Sequence, residues 1–365
     1  MCRQILAAFL LTIALFLPSA RAERLLVLSD LHFASDSETG ELREAVCALL
    51  SPDGALLVLG DMANSGREAE HARVIAFLDE IRAQTGCPVF ALPGYHDLSG
   101  GVSPSGFAGL YHDFGYDGAD FAEPGGASYA RFLSPDLFLV MLDTNDFDPV
   151  RRDVQHGGVA EERLAWLRGV LSAVPEGTET VVCGHYPILP AESGSSDDTR
   201  NAAALVRLLK ESGVRVYLCG HRHSNYPQEE AGLRQIAVGV PFAWPACAGS
   251  LAQAGDGFLY EMLPLYAGES ETMKAMREQQ LSLARRMAEG SLSGTAFEGD
   301  GGAVDWFVSV FLASSDGTLA ARQEELLSDA NYDKWQRAEV RSMAKPWILS
   351  LVRDPPDDVR WIEIR

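Results

Sequence analysis

From Arg24 onward, short apolar runs alternate with longer amphipathic segments, and this spacing constrains the chain more than any other feature. Residues 25–28, 55–59, 89–92, 129–133, 137–142, 180–183 and 214–219 are mostly apolar and read as buried strands. Between them, residues 41–50, 67–84, 160–171 and 201–211 read as helices. Strands that alternate with helices of crossover length predict an α/β fold whose sheets are covered on both faces. Residues 93–126, rich in glycine and punctuated by proline, read as a long loop with little regular structure.

The alternation runs to about Met262, after which the texture changes. Residues 269–289 are rich in Glu, Arg, Met and Ala, residues 303–312 are apolar, and residues 329–351 are again helix-like. Asp354-Pro355-Pro356 stops that helix, and residues 359–364 read as a terminal strand. A main domain over 23–264 and a small, mainly helical appendage or lid over 265–365 are expected, with the apolar run 306–312 as the appendage's core. The first 22 residues stand apart. Arg3, the apolar run 5–17 and the small residues before Glu23 form a secretory signal pattern. Thirteen apolar residues fall short of the roughly 20 that span a bilayer, so a cleaved leader is expected rather than an anchor. The mature chain is then secreted, periplasmic or extracellular, with no stable membrane insertion.

A 47% hydrophobic and 22% charged composition excludes wholesale disorder and a multi-span membrane protein. Asp and Glu number 51 against 30 Lys and Arg, for a formal charge of −21, and a field of that sign repels DNA and RNA. No polymeric nucleic acid partner is expected. A small anionic substrate needs a strongly cationic site, and with Lys and Arg scarce, metal ions are the natural source of that charge. Cys47, Cys87, Cys183, Cys219 and Cys247 follow the leader with no C-x-x-C among them. Cys183 and Cys219 each precede a Gly-His pair. Their sulfurs approach if the strands are neighbours, but small buried residues are the simpler expectation.

The residues that carry chemistry sit just after strand ends. They are Asp30-Leu31-His32, Gly60-Asp61, Gly94-Tyr95-His96-Asp97, Gly184-His185 and Gly220-His221-Arg222-His223. Ligands of α/β sheets gather at the carboxyl ends of strands, so five strands aim imidazoles and carboxylates at one edge. Any one of these pieces is an ordinary turn or cap; together they form the donor set of a zinc, manganese or iron centre. His71, on a charged helix, is expected to face solvent, and His112 and His156 sit in polar loops. Arg222 and Asn225 flank His223, where they would meet a phosphate or base or else belong to turns.

The same series resembles the calcineurin-like metallophosphoesterase superfamily over residues 24–262, and Leu142-Asp143-Thr144 and the Trp166-Leu167 helix are similar to secreted or cyclic-nucleotide-type bacterial members. The resemblance implies a two-sheet β-sandwich core flanked by helices, and two divalent or mixed-valence metal ions (Mn, Fe or Zn) sharing a water or hydroxide that attacks a phosphomonoester or small phosphodiester. It implies that Asp30, His32 and His223 hold the first ion, Asp61 bridges, and His185 and His221 hold the second. His96 would protonate the leaving oxygen or hold a phosphate oxygen, with Asp97 orienting its ring. One position departs from the pattern: family members carry Asn before the catalytic His, and here it is Tyr95. Purple acid phosphatases use a tyrosine ligand, but theirs would fall at Asn64. Three readings stay open. Tyr95 points away while water or Asn64 completes the second site; it ligates or stacks on substrate; or it leaves a catalytically impaired metal- or phosphate-binding module.

Overall fold

The computed structural model describes residues 24–189, 199–268, 270–340, 342–358 and 360–365; the leader expected over 1–22 lies outside them. In chain order, β1 (Arg24–Leu28), α1 (Gly40–Leu49), β2 (Ala55–Leu59), α2 (Glu68–Thr85) and β3 (Val89–Leu92) form the first half. Then come α3 (Tyr95–Leu98), α4 (Pro104–Leu110), β4 (Phe121–Ala122), β5 (Tyr129–Ser134), β6 (Leu137–Met141) and the hairpin β7 (Asn145–Asp148) and β8 (Asp153–Gly157). The second half continues through α5 (Glu161–Ser172), β9 (Glu179–Cys183), α6 (Ala202–Glu211), β10 (Val216–Cys219), β11 (Tyr226–Glu230), β12 (Leu233–Ala237), β13 (Cys247–Ala254) and β14 (Gly257–Pro264). Five helices, α7 (Glu271–Leu292), α8 (Gly301–Ser315), α9 (Leu319–Ser328), α10 (Ala330–Arg337) and α11 (Ala344–Arg353), precede β15 (Trp361–Ile364).

Two sheets face one another, one ordered β15-β14-β13-β1-β2-β3 and the other β11-β12-β10-β9-β6-β5-β4. The two-residue period of a strand explains why their sequences are apolar throughout. Leu25 and Val27 of β1 and Leu57 and Leu59 of β2 point between the sheets, where they meet Leu139 and Met141 of β6. The alternate residues Leu26, Leu28, Leu56 and Val58 face outward under α1 and α2. On the far side, Phe138 and Val140 pack beneath α5 and α6. This is the two-sheet sandwich flanked by helices. Because β1, β2 and β3 run parallel, as do β6, β9 and β10, their carboxyl ends open onto one edge of the sandwich.

Two expectations change, and the simpler one for the cysteines holds: Cys183 and Cys219 are small buried residues. Residues 93–126 are not a plain loop: they carry α3, α4 and a helical turn at His112–Tyr116. The rings of Phe107, Tyr111 and Phe114 from this segment complete the outer core. The helix expected over 329–351 is two helices, because the chain turns extended at Ala338 while the Lys345 ammonium donates to the Gln336 and Ala338 carbonyls and satisfies the end of α10. Cys183 and Cys219 do lie on adjacent strands, but Cys183 is registered against Leu218. One residue of offset puts Cys183 between the sheets and Cys219 on the outer face, so their thiols diverge. The helical region has its own core around Trp306, Phe307 and Trp335. Its last strand, β15, pairs with β14 and returns the chain to the sandwich. Among the described residues, no helix is long and apolar enough to cross a membrane.

Candidate metal centre

The turns that leave β1 and β2 are laced together: the Asp30, His32 and Phe33 amides donate to the Gly60, Asp61 and Met62 carbonyls at 3.0, 2.9 and 2.8 Å. This brings Asp30, His32 and Asp61 side by side. Asp30, His32, Asp61, His221 and His223 all have positive φ, between 45° and 69°. Left-handed backbone is costly for most side chains and is tolerated best by Asp, Asn and His. Its concentration in five of the six proposed ligands is local strain gathered at one site. The preceding glycines serve close approach. A Cβ on Gly60 would stand 2.5 Å from the Gly94 nitrogen and 2.9 Å from His185 Nδ1, so the β2 and β3 turns touch only because neither has a side chain.

Asp30 and Asp61 are used alike. Asp30 Oδ2 accepts the His221 amide at 3.0 Å, while Oδ1 stands 3.4 Å from His223 Nε2. Asp61 Oδ1 accepts the His96 amide at 2.7 Å, while Oδ2 stands 3.2 Å from His185 Nε2. Each carboxylate thus spends one oxygen fixing a neighbouring ligand loop and presents the other to the cluster. His185 is sealed from solvent. Its Nδ1 donates to the Leu59 carbonyl at 2.8 Å, which fixes the tautomer and aims Nε2 at Asp61. Its amide and that of Tyr186 both donate to Thr144 Oγ1 at 3.0 Å, a positioning contact whose only sequence signal was the Asp143-Thr144 pair after β6.

The donor atoms fall into three groups, within each of which they lie no more than 4.8 Å apart: Asp30, His32 and His223; His32, Asp61 and His96; and Asp61, His185 and His221. His32 Nε2 and His223 Nε2 are 3.1 Å apart. A metal ion with ligands at about 2.1 Å holds neighbouring donors at about this separation. Asp30 Oδ1, 3.4 Å from His223 Nε2, and His185 Nε2, 3.2 Å from Asp61 Oδ2, are buried and each faces its own donor group, an expensive arrangement unless a cation sits in each group. The electrostatics agree. Burial pushes His32 down to about 4, so its imidazole is neutral and free to ligate. Burial also opposes charge on His185, yet Asp61 beside it raises it to about 10, and a hydrogen bond to Asp30 raises His223. Against its own burial, Asp61 is held well below the usual carboxylate range by His185 and His96. Two buried carboxylates therefore demand positive charge from the site. The residues fit divalent or trivalent first-row ions, and the donor chemistry suits manganese, iron and zinc alike.

The remaining expected site residues separate into those at the cluster and those that support it. His96 is at the cluster, its ring edge-on to His32 at 4.6 Å. Its orientation comes from Asn64, whose backbone carbonyl accepts from Nδ1 at 2.6 Å, and not from Asp97. Asp97 is fully buried and accepts three amides: Met62 at 3.0 Å, Ala63 at 2.8 Å and Gly94 at 2.9 Å. It ties the turn bearing Asp61 to the turn bearing His96. Burial and the Asp61 charge push its carboxyl up to about 7, against the pull of those three amides. The Tyr95 ring packs in part on the outer core, edge-on to His96 at 5.1 Å. His71 is buried rather than solvent-facing, because Tyr111 and the Asp97 carbonyl satisfy both of its nitrogens. Asn225 is structural: it accepts the Gly239 amide and donates to Cys247 Sγ. Arg222 stacks over Tyr226 at 5.0 Å, and His112 and His156 are exposed.

Every residue of the cluster lies within residues 23–225, which match the family model of calcineurin-like phosphoesterases. The chain is 28% identical over 193 residues to a cAMP/cGMP dual specificity phosphodiesterase of Mycobacterium tuberculosis, covering 52% of this chain and 54% of that protein. It is 31% identical over 173 residues to the tartrate-resistant acid phosphatase type 5 of Rattus norvegicus, covering 44% of this chain and 50% of the relative. The chain thus spans about half the length of these curated relatives. With a family match over more than half its length, on a two-sheet sandwich whose strand ends converge on one cluster, the chain belongs to the calcineurin-like phosphoesterase family.

Proposed function

We propose that the protein is a metal-dependent hydrolase of a phosphomonoester or small phosphodiester. Asp30, His32 and His223 hold one ion, His185 and His221 hold a second, and Asp61 is shared. The observation that carries this is the double membership of Asp61, a donor both in the group with His32 and His96 and in the group with His185 and His221. When bound, such a metal pair acidifies water and neutralises phosphoryl charge. The chain's own residues do the rest. Leu59 and Thr144 fix His185, and Asn64 keeps a proton on His96 Nδ1. That leaves His96 Nε2 to carry the proton that the leaving oxygen needs when the P–O bond breaks. The two relatives, by their names, act on a cyclic diester and as a phosphatase, which supports a small phosphate ester without choosing between classes.

The test is metal content measured alongside hydrolysis of 4-nitrophenyl phosphate and bis(4-nitrophenyl) phosphate. Wild type reconstituted with manganese, iron or zinc binds two ions per chain and cleaves at least one ester. His96→Ala keeps metal and loses turnover, whereas Asp61→Ala loses both. Equal metal loss in the two variants contradicts these roles, and two bound ions without hydrolysis of any ester points to a binding module. Export by the leader belongs to the same proposal and is checked by the intact mass of the secreted chain.

A further inference from the structure

Beside the cluster, the loop carrying His221, Arg222 and His223 faces helices α7, α8 and α11 across a cavity of about 540 Å³. A cavity of that size lies within the range of small-molecule sites, about 300–1,000 Å³. Its far wall comes from the helical region, which lies beyond the residues that match the family. The walls are aromatic and apolar: Tyr226, Phe242, Leu283, Phe311 and Trp347. Phe242 and Leu283 are 44% and 41% exposed, so large apolar surface is left open where it adjoins the cluster. The Phe242 ring stands 6.0 Å from His32 and 6.2 Å from His223. Besides His221, Arg222 and His223 on the loop, the polar side chains of the lining include Gln280, Ser224, Ser314 and Ser315, and none of the lining residues is acidic, in a chain that carries 51 acids.

We infer that this cavity seats the organic group of the substrate, and that the group is an aromatic or heteroaromatic moiety without positive charge, stacked against Phe242. The inference rests on the phosphoester reading, because His221 and His223, metal ligands in that reading, also line this cavity, so a phosphoryl group at the ions would have it alongside. An aromatic ring gains from the four rings of the wall. Amide and hydroxyl groups supply hydrogen bonds to ring heteroatoms, and the lack of acids spares an anionic ester repulsion. A strongly cationic substituent meets no acid in the lining.

The test is calorimetric titration of the metal-reconstituted full chain with methylphosphonate and phenylphosphonate, which present the same anion with and without a ring. Phenylphosphonate is expected to bind about tenfold more tightly, from burial of the ring's apolar area. Phe242→Ala and Leu283→Ser, both at exposed positions that spare the fold, each reduce that ratio by about threefold or more. Leu327→Ala, exposed on α9 away from the cavity, leaves it unchanged. Equal binding of the two phosphonates by wild type, or a ratio that survives both substitutions, overturns the cavity assignment while leaving the phosphoester site in place. Binding of neither phosphonate by protein that holds metal overturns both.

Discussion

His71 Nε2 donates to the backbone carbonyl of Asp97 over 3.0 Å, while its Nδ1 accepts from the Tyr111 hydroxyl at 2.9 Å. The bond that Nδ1 accepts requires a neutral imidazole, and burial lowers the affinity of His71 for a proton. The sign follows. In the window between the depressed folded value and the unfolded value near 6.5, the unfolded chain binds more protons. The stabilisation is therefore complete above pH about 6.5 and is lost as the pH falls below it. Urea midpoints of wild type and His71→Gln are expected to differ most near neutral pH and to converge towards pH 5. Parallel curves would show that His71 is not buried in the neutral form.

Asp97 predicts a second outcome. Its carboxylate receives three amides from the two turns that carry Asp61 and His96. Asp97→Asn replaces one acceptor oxygen with a donor and strands at least one buried N–H, at a cost of about 1–3 kcal/mol. We expect a lower urea midpoint, and a drop in hydrolysis that exceeds any loss of metal, because the relative placement of the turns is disturbed while all six ligands remain. If Asp97 acted on the His96 ring instead, the pH profile of turnover would move and stability would not.

The strands of the sandwich were legible because burial on both faces forces runs such as residues 55–59 to be apolar at every position. The cluster was legible because each ligand lies next to the strand that delivers it. What escaped was carried by contacts distant in sequence. His71 reads as solvent-facing until Tyr111, forty residues on, supplies its partner. Asp97 sits next to His96, and adjacency suggested an Asp–His pair. The α3 turn instead points the carboxylate back at the chain, and a carbonyl thirty-two residues earlier takes the imidazole. The helical wall of the cavity carries no motif at all, since aromatic residues on α8 and α11 serve a core and a binding surface equally well.

Tyr95 carries a third prediction. Its ring packs on the outer core, so Tyr95→Phe is expected to leave metal stoichiometry unchanged. Iron-loaded wild type should lack a tyrosinate-to-iron absorption band. Tyr95→Asn, which restores the family's amide, is expected to tighten the second ion, while removal of the buried part of the ring costs about 1–3 kcal/mol of stability. A visible band in wild type that vanishes in Tyr95→Phe would place the phenol on the metal.

Gly94 is a sensitive point of the site although it bears no functional group. A Cβ there would meet the Asp61 amide nitrogen at 2.5 Å and would press on the Asp61 carboxylate itself. The neighbours cannot yield, because Asp61 is held from the other side by the His96 amide and Gly60 packs directly against Gly94. Gly94→Ala therefore forces the β2 and β3 turns apart. Overpacking of this kind typically costs about 1–3 kcal/mol, and here the displaced group is the carboxylate shared by both donor sets. The expected phenotype is a folded protein, with circular dichroism close to wild type, that fails to retain two ions after desalting and has lost the rise in melting temperature that metal gives the wild type. An equal rise in both proteins would show that the spacing of these two turns does not set metal affinity.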